Sequence, residues 1–400
     1  MKPKIAILGS GPTGLEAALA AAEGGYPFVL FEAGDGPAAA VRSWGHVRVF
    51  TPWDLNVSPR ARKRLAAVGH EPPTGGACPT GDDLAAQVFD RLAALPEIAP
   101  CLRLGTRVLE VGRDGLVKSD EIGTGNRRQR PFRLLVRDAD GGERIERADI
   151  VLDCTGTYGS PNRLGDGGIP APGENAADGA IIRHLPKIDA GGWADRTVLL
   201  VGAGHSARTA ARDLADLAQS HPETQVVWAL RKTEPPTAPE EDELPERLAL
   251  EQRAAELASG DSPAFDIRLG VVVEGLAPAG DRLRVTLRRR DGGTDSVVEV
   301  DRILSLTGYV GDYRLYRQLQ VHECYATAGP MKLAAALLGA GGGDCLAQTS
   351  HGSESLVNPE PDFFLLGAKS YGRNTTFLMR TGWQQVDEVF GLLKEEGKAA

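Results

Sequence analysis

Six residues near the N-terminus, Gly9-Ser10-Gly11-Pro12-Thr13-Gly14, have the types and spacing of a phosphate cradle. Gly9 permits a tight turn, Gly11 lets a pyrophosphate approach the backbone with no β-carbon in the way, and Gly14 lets the next helix pack close to the preceding strand. Pro12 and Thr13 open that helix, whose N-terminus offers N–H groups and partial positive charge to an anion. Glu32 lies about 20 residues beyond the loop, where a carboxylate accepts hydrogen bonds from ribose hydroxyls. A second cradle, Gly202-Ala203-Gly204-His205-Ser206-Ala207, repeats the spacing with alanine for the third glycine. His205 and Ser206 fall within this loop, in reach of a pyrophosphate. The strand after it ends in Arg231-Lys232 rather than in an acid. A 2′-phosphate prefers a guanidinium and a free 2′-hydroxyl a carboxylate. The second cradle therefore reads as NADPH-preferring, the alternative being that Arg231 and Lys232 are solvated surface charges.

Both loops need a strand before them and a helix after them, and the flanking residues supply both. Lys4–Gly9 is a buried apolar run, an Ala-rich helix follows from Thr13 to Glu23, and Phe28–Glu32 is a second strand ending in the acid. The same order restarts at Thr197–Val201, with a helix to Gln219 and a strand Gln225–Leu230. Residues 36–60 read as irregular, Asp82–Leu95 as an amphipathic helix with Asp82 as N-cap, and Gly112–Arg130 as a polar loop or hairpin between strands Leu104–Val111 and Phe132–Val136. Strands are also expected at Ile150–Cys154, Ile267–Glu274, Leu283–Arg289, Val297–Val300, Arg302–Leu306 and Phe363–Leu366, and helices at Leu244–Ser259 and Thr376–Leu393. Two β-α-β units about 190 residues apart are the nearest thing to an internal repeat. The expected fold is α/β, with two Rossmann-like dinucleotide-binding domains, the second inserted into the first. The first domain takes residues 1–160 and 302–400, and the second 161–301.

Composition narrows the function. The chain has 400 residues and a formal net charge of −9, from 54 acids and 45 bases. An acidic chain without a basic block is a poor partner for nucleic acid or for anionic membranes. Five cysteines, Cys78, Cys101, Cys154, Cys324 and Cys345, include no C-x-x-C pair. That spacing provides neither a dithiol redox centre nor a zinc site, and no metal is expected. Scattered cysteines, short apolar runs and a strand that begins almost at the N-terminus point to a cytoplasmic protein without a signal peptide. A homodimer is compatible with this composition.

Taken together these motifs resemble the flavin-containing monooxygenases and their N-hydroxylating and Baeyer–Villiger relatives, flavoproteins with two dinucleotide-binding domains. Gly9, Gly11, Gly14 and Glu32 match that family's FAD loop, and Gly202, Gly204 and Ala207 its NADPH loop. Cys154-Thr155-Gly156 and Leu306-Thr307-Gly308 resemble the strand ends that mark its domain crossings. The run Thr155-Gly156 through Pro161 to Ile169-Pro170 and Pro172-Gly173 resembles its linker. Trp53-Asp54-Leu55-Asn56-Val57-Ser58-Pro59 resembles the segment whose asparagine covers the flavin. Two departures stand out. Around Gly179 and His184 the family hallmark is one residue too long and lacks its aromatics. Gly367-Ala368-Lys369 stands where the terminal FAD motif has Gly-Asp.

The resemblance implies FAD in the first cradle, NADPH in the second, and a C4a-hydroperoxide, formed with O2, that oxygenates a small molecule at nitrogen, sulfur or a ketone. In that chemistry the protein binds, orients and excludes water. Asn56 would hydrogen-bond over the flavin ring. Trp44, Trp53 and Phe50 would form an apolar lid, or else pack the core. Arg48 would meet a cofactor phosphate or an acidic substrate, or stay on the surface. Lys369-Ser370-Tyr371-Gly372-Arg373-Asn374-Thr375-Thr376 is a second candidate site. Tyr371, Arg373 and Asn374 are its catalytic candidates, and Thr375 and Thr376 lead cofactor contacts into the C-terminal helix. His351, Ser353 and Glu354 are candidates for the substrate entry. Two other readings stand beside this one: an NAD(P)H-dependent reductase or oxidase without oxygen insertion, and a non-catalytic flavin-binding protein. The missing C-x-x-C argues against a disulfide reductase, and the second intact cradle argues against a sensor.

Overall fold

The computed structural model describes residues 2–260, 262–339, 346, 348, 350–395 and 397; Cys345 lies outside them. The chain divides into two compact units, Met1–Ser160 with Val310–Ala400, and Pro161–Tyr309. Each is an α/β unit around a five-stranded parallel sheet.

In the first unit the sheet order is β3-β2-β1-β7-β16, with β1 Ile5–Leu8, β2 Phe28–Phe31, β3 Leu102–Arg103, β7 Ile150–Asp153 and β16 Phe363–Leu365. All four residues of β1 are buried, as a central parallel strand covered on both faces requires. Ile5 and Ile7 join a core with helices Pro12–Glu23 and Met379–Glu395. Ala6 and Leu8 face Phe132, Leu134 and Val136 on the other side. Those three are the alternating inward residues of β5 Phe132–Arg137, the middle strand of an antiparallel meander with β4 Arg107–Arg113 and β6 Glu143–Ala148.

The second unit repeats the plan. Its parallel sheet runs β11-β10-β9-β15-β8, with β8 Ile181–Ile182, β9 Thr197–Val201, β10 Gln225–Leu230, β11 Phe265–Leu269 and β15 Arg302–Ser305. A meander of β12 Val271–Ala279, β13 Arg282–Arg289 and β14 Ser296–Val300 packs Val273, Val285 and Leu287 against Leu199 and Ile303. The meander falls between β3 and β7, which pairs with β1, in the first unit, and between β11 and β15, which pairs with β9, in the second.

Several expectations need correction. The sequence assigns residues 302–309 to the first domain, but β15, Arg302–Ser305, pairs in register with β9, and the chain to Tyr309 belongs to the second unit. Ile267–Glu274 is two strands, broken at Gly270, whose φ is +64°. β4 extends to Arg113, and β6, rich in charge, went unnoticed. The helix cap at residue 82 is instead Thr80, whose hydroxyl accepts from Asp83 N–H while the Asp83 carboxylate accepts from Thr80, a reciprocal box. Residues 36–60 contain two single helical turns, Ala39–Arg42 and Trp53–Asn56, and the start of helix Pro59–Ala66. The C-terminal helix starts at Met379, three residues later than expected, because Asn374 accepts from the Thr376 N–H and hydroxyl and makes a turn there.

One polar knot fastens the first unit's meander to the segment before β16. Glu360 is fully buried between Arg113 and Arg127, at 2.7 Å from Arg113 Nε and 2.8 Å from Arg127 Nη2. It also accepts the Gln320 N–H at 2.8 Å. The remaining guanidinium donors reach the carbonyls of Arg130, Pro361, Val117 and Asp120, and Arg113 lies 3.6 Å from the centre of the Phe132 ring. Removing the one acid leaves two cations in a dry site. Glu360→Gln is therefore expected to cost about 3–5 kcal/mol in urea unfolding. A loss under about 1 kcal/mol, the range of exposed pairs, would contradict this.

Candidate functional site

The first cradle is built by close packing. Gly9 has φ +92°, and a β-carbon there would lie 2.8 Å from the Cys154 carbonyl oxygen at the end of β7. A β-carbon at Gly14 would lie 1.8 Å from the Gly9 carbonyl oxygen, so the helix can approach only with glycine there. Gly11 differs: nothing lies within 4 Å of the position its β-carbon would take. It caps helix Pro12–Glu23, and no side chain occupies the cap. The loop thus has two glycines consumed by packing and one facing open space, with helix N–H groups beside it. Thr13 is buried and packs against Gly367 and Gly382, leaving no room for a β-carbon at either. Glu32 is fixed by Ser10, whose N–H and hydroxyl donate to Oε2 at 3.0 and 2.7 Å, and by the Gly34 N–H at 2.9 Å to Oε1. Ser10 was not singled out from the sequence, though it occupies the variable place in the glycine pattern.

The second cradle repeats this. Gly202, at φ +134°, would put a β-carbon 2.2 Å from the Leu306 carbonyl oxygen of the returning chain, and Gly204 faces open space. Ala207 is fully buried. His205 and Ser206 are exposed on the first turn of helix His205–Ser220. His205 Nε2 lies 3.3 Å from Glu251, which also pairs with Arg208 at 3.1 Å. Arg231 and Lys232 follow β10 directly and are exposed. Their carbonyls take hydrogen bonds from Arg290 and from the Gly270 N–H. Sequence reasoning missed Trp228, which is buried in β10 and donates its indole N–H to the Gly202 carbonyl at 2.9 Å.

Beside the first cradle lies a cavity of about 240 Å³. Apolar side chains dominate it: Val41, Trp44, Leu55, Leu84, Phe89 and Phe377. Thr51, Asn56 and Arg380 bring its polar groups, and no acid lines it. Pro12 and Met379, the first residues of two helices, both border it, so two helix N-termini meet there. That arrangement favours negative charge. Leu84 precedes and Phe89 ends a π-helical turn, Ala85–Phe89, in a segment expected to be regular helix; such turns gather at functional sites. Arg380 went unnoticed in the sequence; its guanidinium donates to the Leu346 carbonyl at 2.8 Å.

The structure gathers only part of the expected site. Asn56 and Trp44 line the cavity, but the Asn56 amide is already engaged. Its Nδ2 donates to the Thr51 and Pro52 carbonyls at 2.6 and 2.9 Å, and its Oδ1 accepts the Thr51 hydroxyl at 2.8 Å. Both donors hold the turn, leaving none for a ligand. Trp53 is buried in the core, and neither it nor Phe50 lines the cavity. Arg48 is exposed and bonds the Cys78 carbonyl. Tyr371 is buried in the core, edge-on to Phe377; burial pushes its hydroxyl pKa up, with Thr381 pulling partly back. Arg373 and Thr375 are exposed, and Asn374 with Thr376 makes the turn described above. None of these five, nor His351, Ser353 or Glu354, lines the cavity; the next residues, Phe377 to Arg380, do. Several side chains of the polar run serve the fold. Lys369 is fully buried and pairs with buried Asp153 at 2.6 Å, and Ser370 bonds the Gly367 carbonyl and accepts from Gln385. No described cysteine lines the cavity, and burial pushes the Cys154 thiol well above its ordinary range.

The two-unit α/β architecture recurs in solved structures. Bacillithiol disulfide reductase from Bacillus cereus aligns with a TM-score of 0.69 over 99% of this chain and 100% of its own, at 17% identity. Ornithine N-hydroxylase from Kutzneria sp. 744, with reduced FAD, NADP+ and L-ornithine, gives 0.62 over 98% and 100%, at 15% identity. Thioredoxin reductase from T. acidophilum gives 0.61 over 99% and 98%, at 14% identity. At such identities the likeness is one of fold, that of proteins with two Rossmann-type units. No protein-family model matches the sequence, and no curated protein matches it.

The glycines make a sharp prediction. Gly11 has extended backbone that any residue adopts, with φ −71° and ψ −173°. Gly11→Val is expected to keep the melting temperature and weaken dinucleotide binding about tenfold or more, a difference of about 1.4 kcal/mol. Gly14→Ala is expected to lower stability by about 1–3 kcal/mol through overpacking. Undiminished binding by a folded Gly11→Val variant would show that the open glycine faces no ligand.

Proposed function

We propose that the chain is a FAD-binding, NADPH-using oxidoreductase that oxygenates a small molecule. The observation that supports it best is the pair of cradles, each with its second glycine open beside a bare helix N-terminus, the first next to an apolar cavity where a second helix also begins. The residues fit the cofactors. Gly11 and the N–H groups after Pro12 would take a pyrophosphate, and Glu32, held by Ser10, would face ribose hydroxyls. The cavity would take the flat, largely apolar ring, and FAD bound there would supply the electron-transfer and oxygen chemistry. The two helix N-termini would stabilise negative charge on the reduced ring. The apolar lining from Val41 to Phe377 would keep water away. Gly204 and its helix would take the second pyrophosphate, and Arg231 and Lys232 the 2′-phosphate.

Of the three solved neighbours named above, one is an ornithine N-hydroxylase and two are disulfide or thioredoxin reductases. The absence of a cysteine from the described cavity lining favours oxygenation over thiol exchange. The engaged Asn56 amide favours a second reading, a reductase or oxidase that passes electrons on without inserting oxygen. Counting peroxide formed per NADPH consumed, across a panel of amines, thioethers and ketones, separates the two. Oxygenation expects at least one class to lower the ratio and yield product. A ratio fixed near one per NADPH throughout, or fast anaerobic reduction of an added acceptor, would favour the second reading.

Cofactor choice has its own test. Arg231→Ala is expected to raise the Michaelis constant for NADPH about tenfold, the equivalent of one charge-assisted hydrogen bond, and to leave that for NADH nearly unchanged. An equal effect on both would show that Arg231 does not read the phosphate.

A further inference from the structure

The two cradles solve one steric problem differently. In the first, the Gly9 carbonyl points at the helix, and a methyl at position 14 would lie 1.8 Å from its oxygen. In the second, a methyl is present: Ala207 is fully buried at the equivalent place, and the helix still starts at His205. Here the Gly202 carbonyl accepts the Trp228 indole N–H at 2.9 Å. The Gly9 N–H bonds the Phe31 carbonyl, and the Gly202 N–H bonds that of Ala229. Trp228 thus corresponds to Leu30, which has no donor to offer. Trp228 is fully buried, edge-on to Phe265, and its N–H is the polar handle that a buried indole must satisfy.

We infer that Trp228 is a positioning residue for the second dinucleotide, its indole holding the carbonyl that the Ala207 methyl displaces. The peptide unit is planar and trans, so fixing the Gly202 carbonyl toward the core turns the Ala203 N–H the opposite way. Ala203 is exposed, between the two glycines of the cradle. The indole thereby presents one backbone donor to a phosphate. This rests on the reading of residues 202–207 as a nicotinamide-dinucleotide cradle.

Titration of NADP+ into wild type, Trp228→Phe, and the double variant Trp228→Phe with Ala207→Gly tests it, with bound flavin as an internal control on the first unit. Trp228→Phe is expected to weaken NADP+ about fivefold, the equivalent of one neutral hydrogen bond. The double variant is expected to stay as weak, because glycine at 207 lets the freed carbonyl turn toward the helix as Gly9 does, and the Ala203 N–H then turns away as the Ser10 N–H turns to Glu32. A merely structural hydrogen bond predicts recovery once glycine relieves the crowding at 207. Undiminished affinity in Trp228→Phe, or recovery in the double variant, would overturn the inference while leaving the cradle intact. A wild-type chain that binds neither NADP+ nor NAD+ would overturn the cradle reading itself, and the positioning role with it. Should Trp228→Phe not fold, hydrogen exchange of the wild-type indole N–H decides. Slow exchange, slowed further by NADP+, supports the role, and fast or NADP+-insensitive exchange overturns it.

Discussion

In each unit a strand end and the strand returning beside it meet at one backbone point with no room for a side chain. At Gly9 the obstacle is the Cys154 carbonyl, and at Gly202 it is that of Leu306. Only glycine can stand there, both because of the contact and because φ is positive at both positions. That contact lets β7 close beside β1 and β15 beside β9, and so creates the crevice where the strand order reverses. Open parallel sheets bind ligands in that crevice, outside the strand ends. The helix that leaves each loop has its bare N-terminus there for the same reason. The open second glycine and the apolar cavity matter chemically only because this closure puts them at the strand ends.

The two units share a plan but meet different demands. Each inserts a three-stranded meander before its returning strand, and each fastens a loop with a buried acid. In the first, Glu360 ties Arg113 and Arg127 to the segment before β16. In the second, Glu174 accepts the N–H groups of Leu164 and Ala171 and pairs with Arg183 at 3.0 Å, holding the run that opens the unit. A buried acid with two or three fixed donors resists any rearrangement that would leave one of them unpaired. These knots stiffen the scaffold of each unit, and no acid lines the cavity. The first unit has the apolar slot and converging helix ends, and the second has an exposed basic rim at Arg231 and Lys232.

Much of this was legible in the sequence because it follows from spacing. The glycine pattern, the flanking apolar runs and Glu32 place both β-α-β units correctly, since strand, turn and helix each leave a local signature. What spacing does not encode is which partner a polar side chain finds. Asn56 has the right neighbours for a ligand-facing amide, yet its two donors meet the Thr51 and Pro52 carbonyls, made available by a single helical turn. Lys369 and Ser370 look like an active-site run, but their partners Asp153 and Gln385 come from distant segments. The assignment of residues 302–309 failed because β15 is apolar enough for either sheet, and only register with β9 decides. Trp228 reads as ordinary core, and the reach of its indole to the Gly202 carbonyl depends on tertiary packing that spacing does not encode.

The proposed occupant of the first cradle and its cavity is one whole FAD. The most direct measurement is mass spectrometry of the chromophore released when the purified, flavin-reconstituted protein is denatured, with its stoichiometry per chain. Intact FAD at about one per chain is expected, since the proposed pyrophosphate contacts at Gly11 and the helix N-terminus have no partner in FMN. Release of FMN, or no flavin retained by a folded protein after reconstitution, would contradict it.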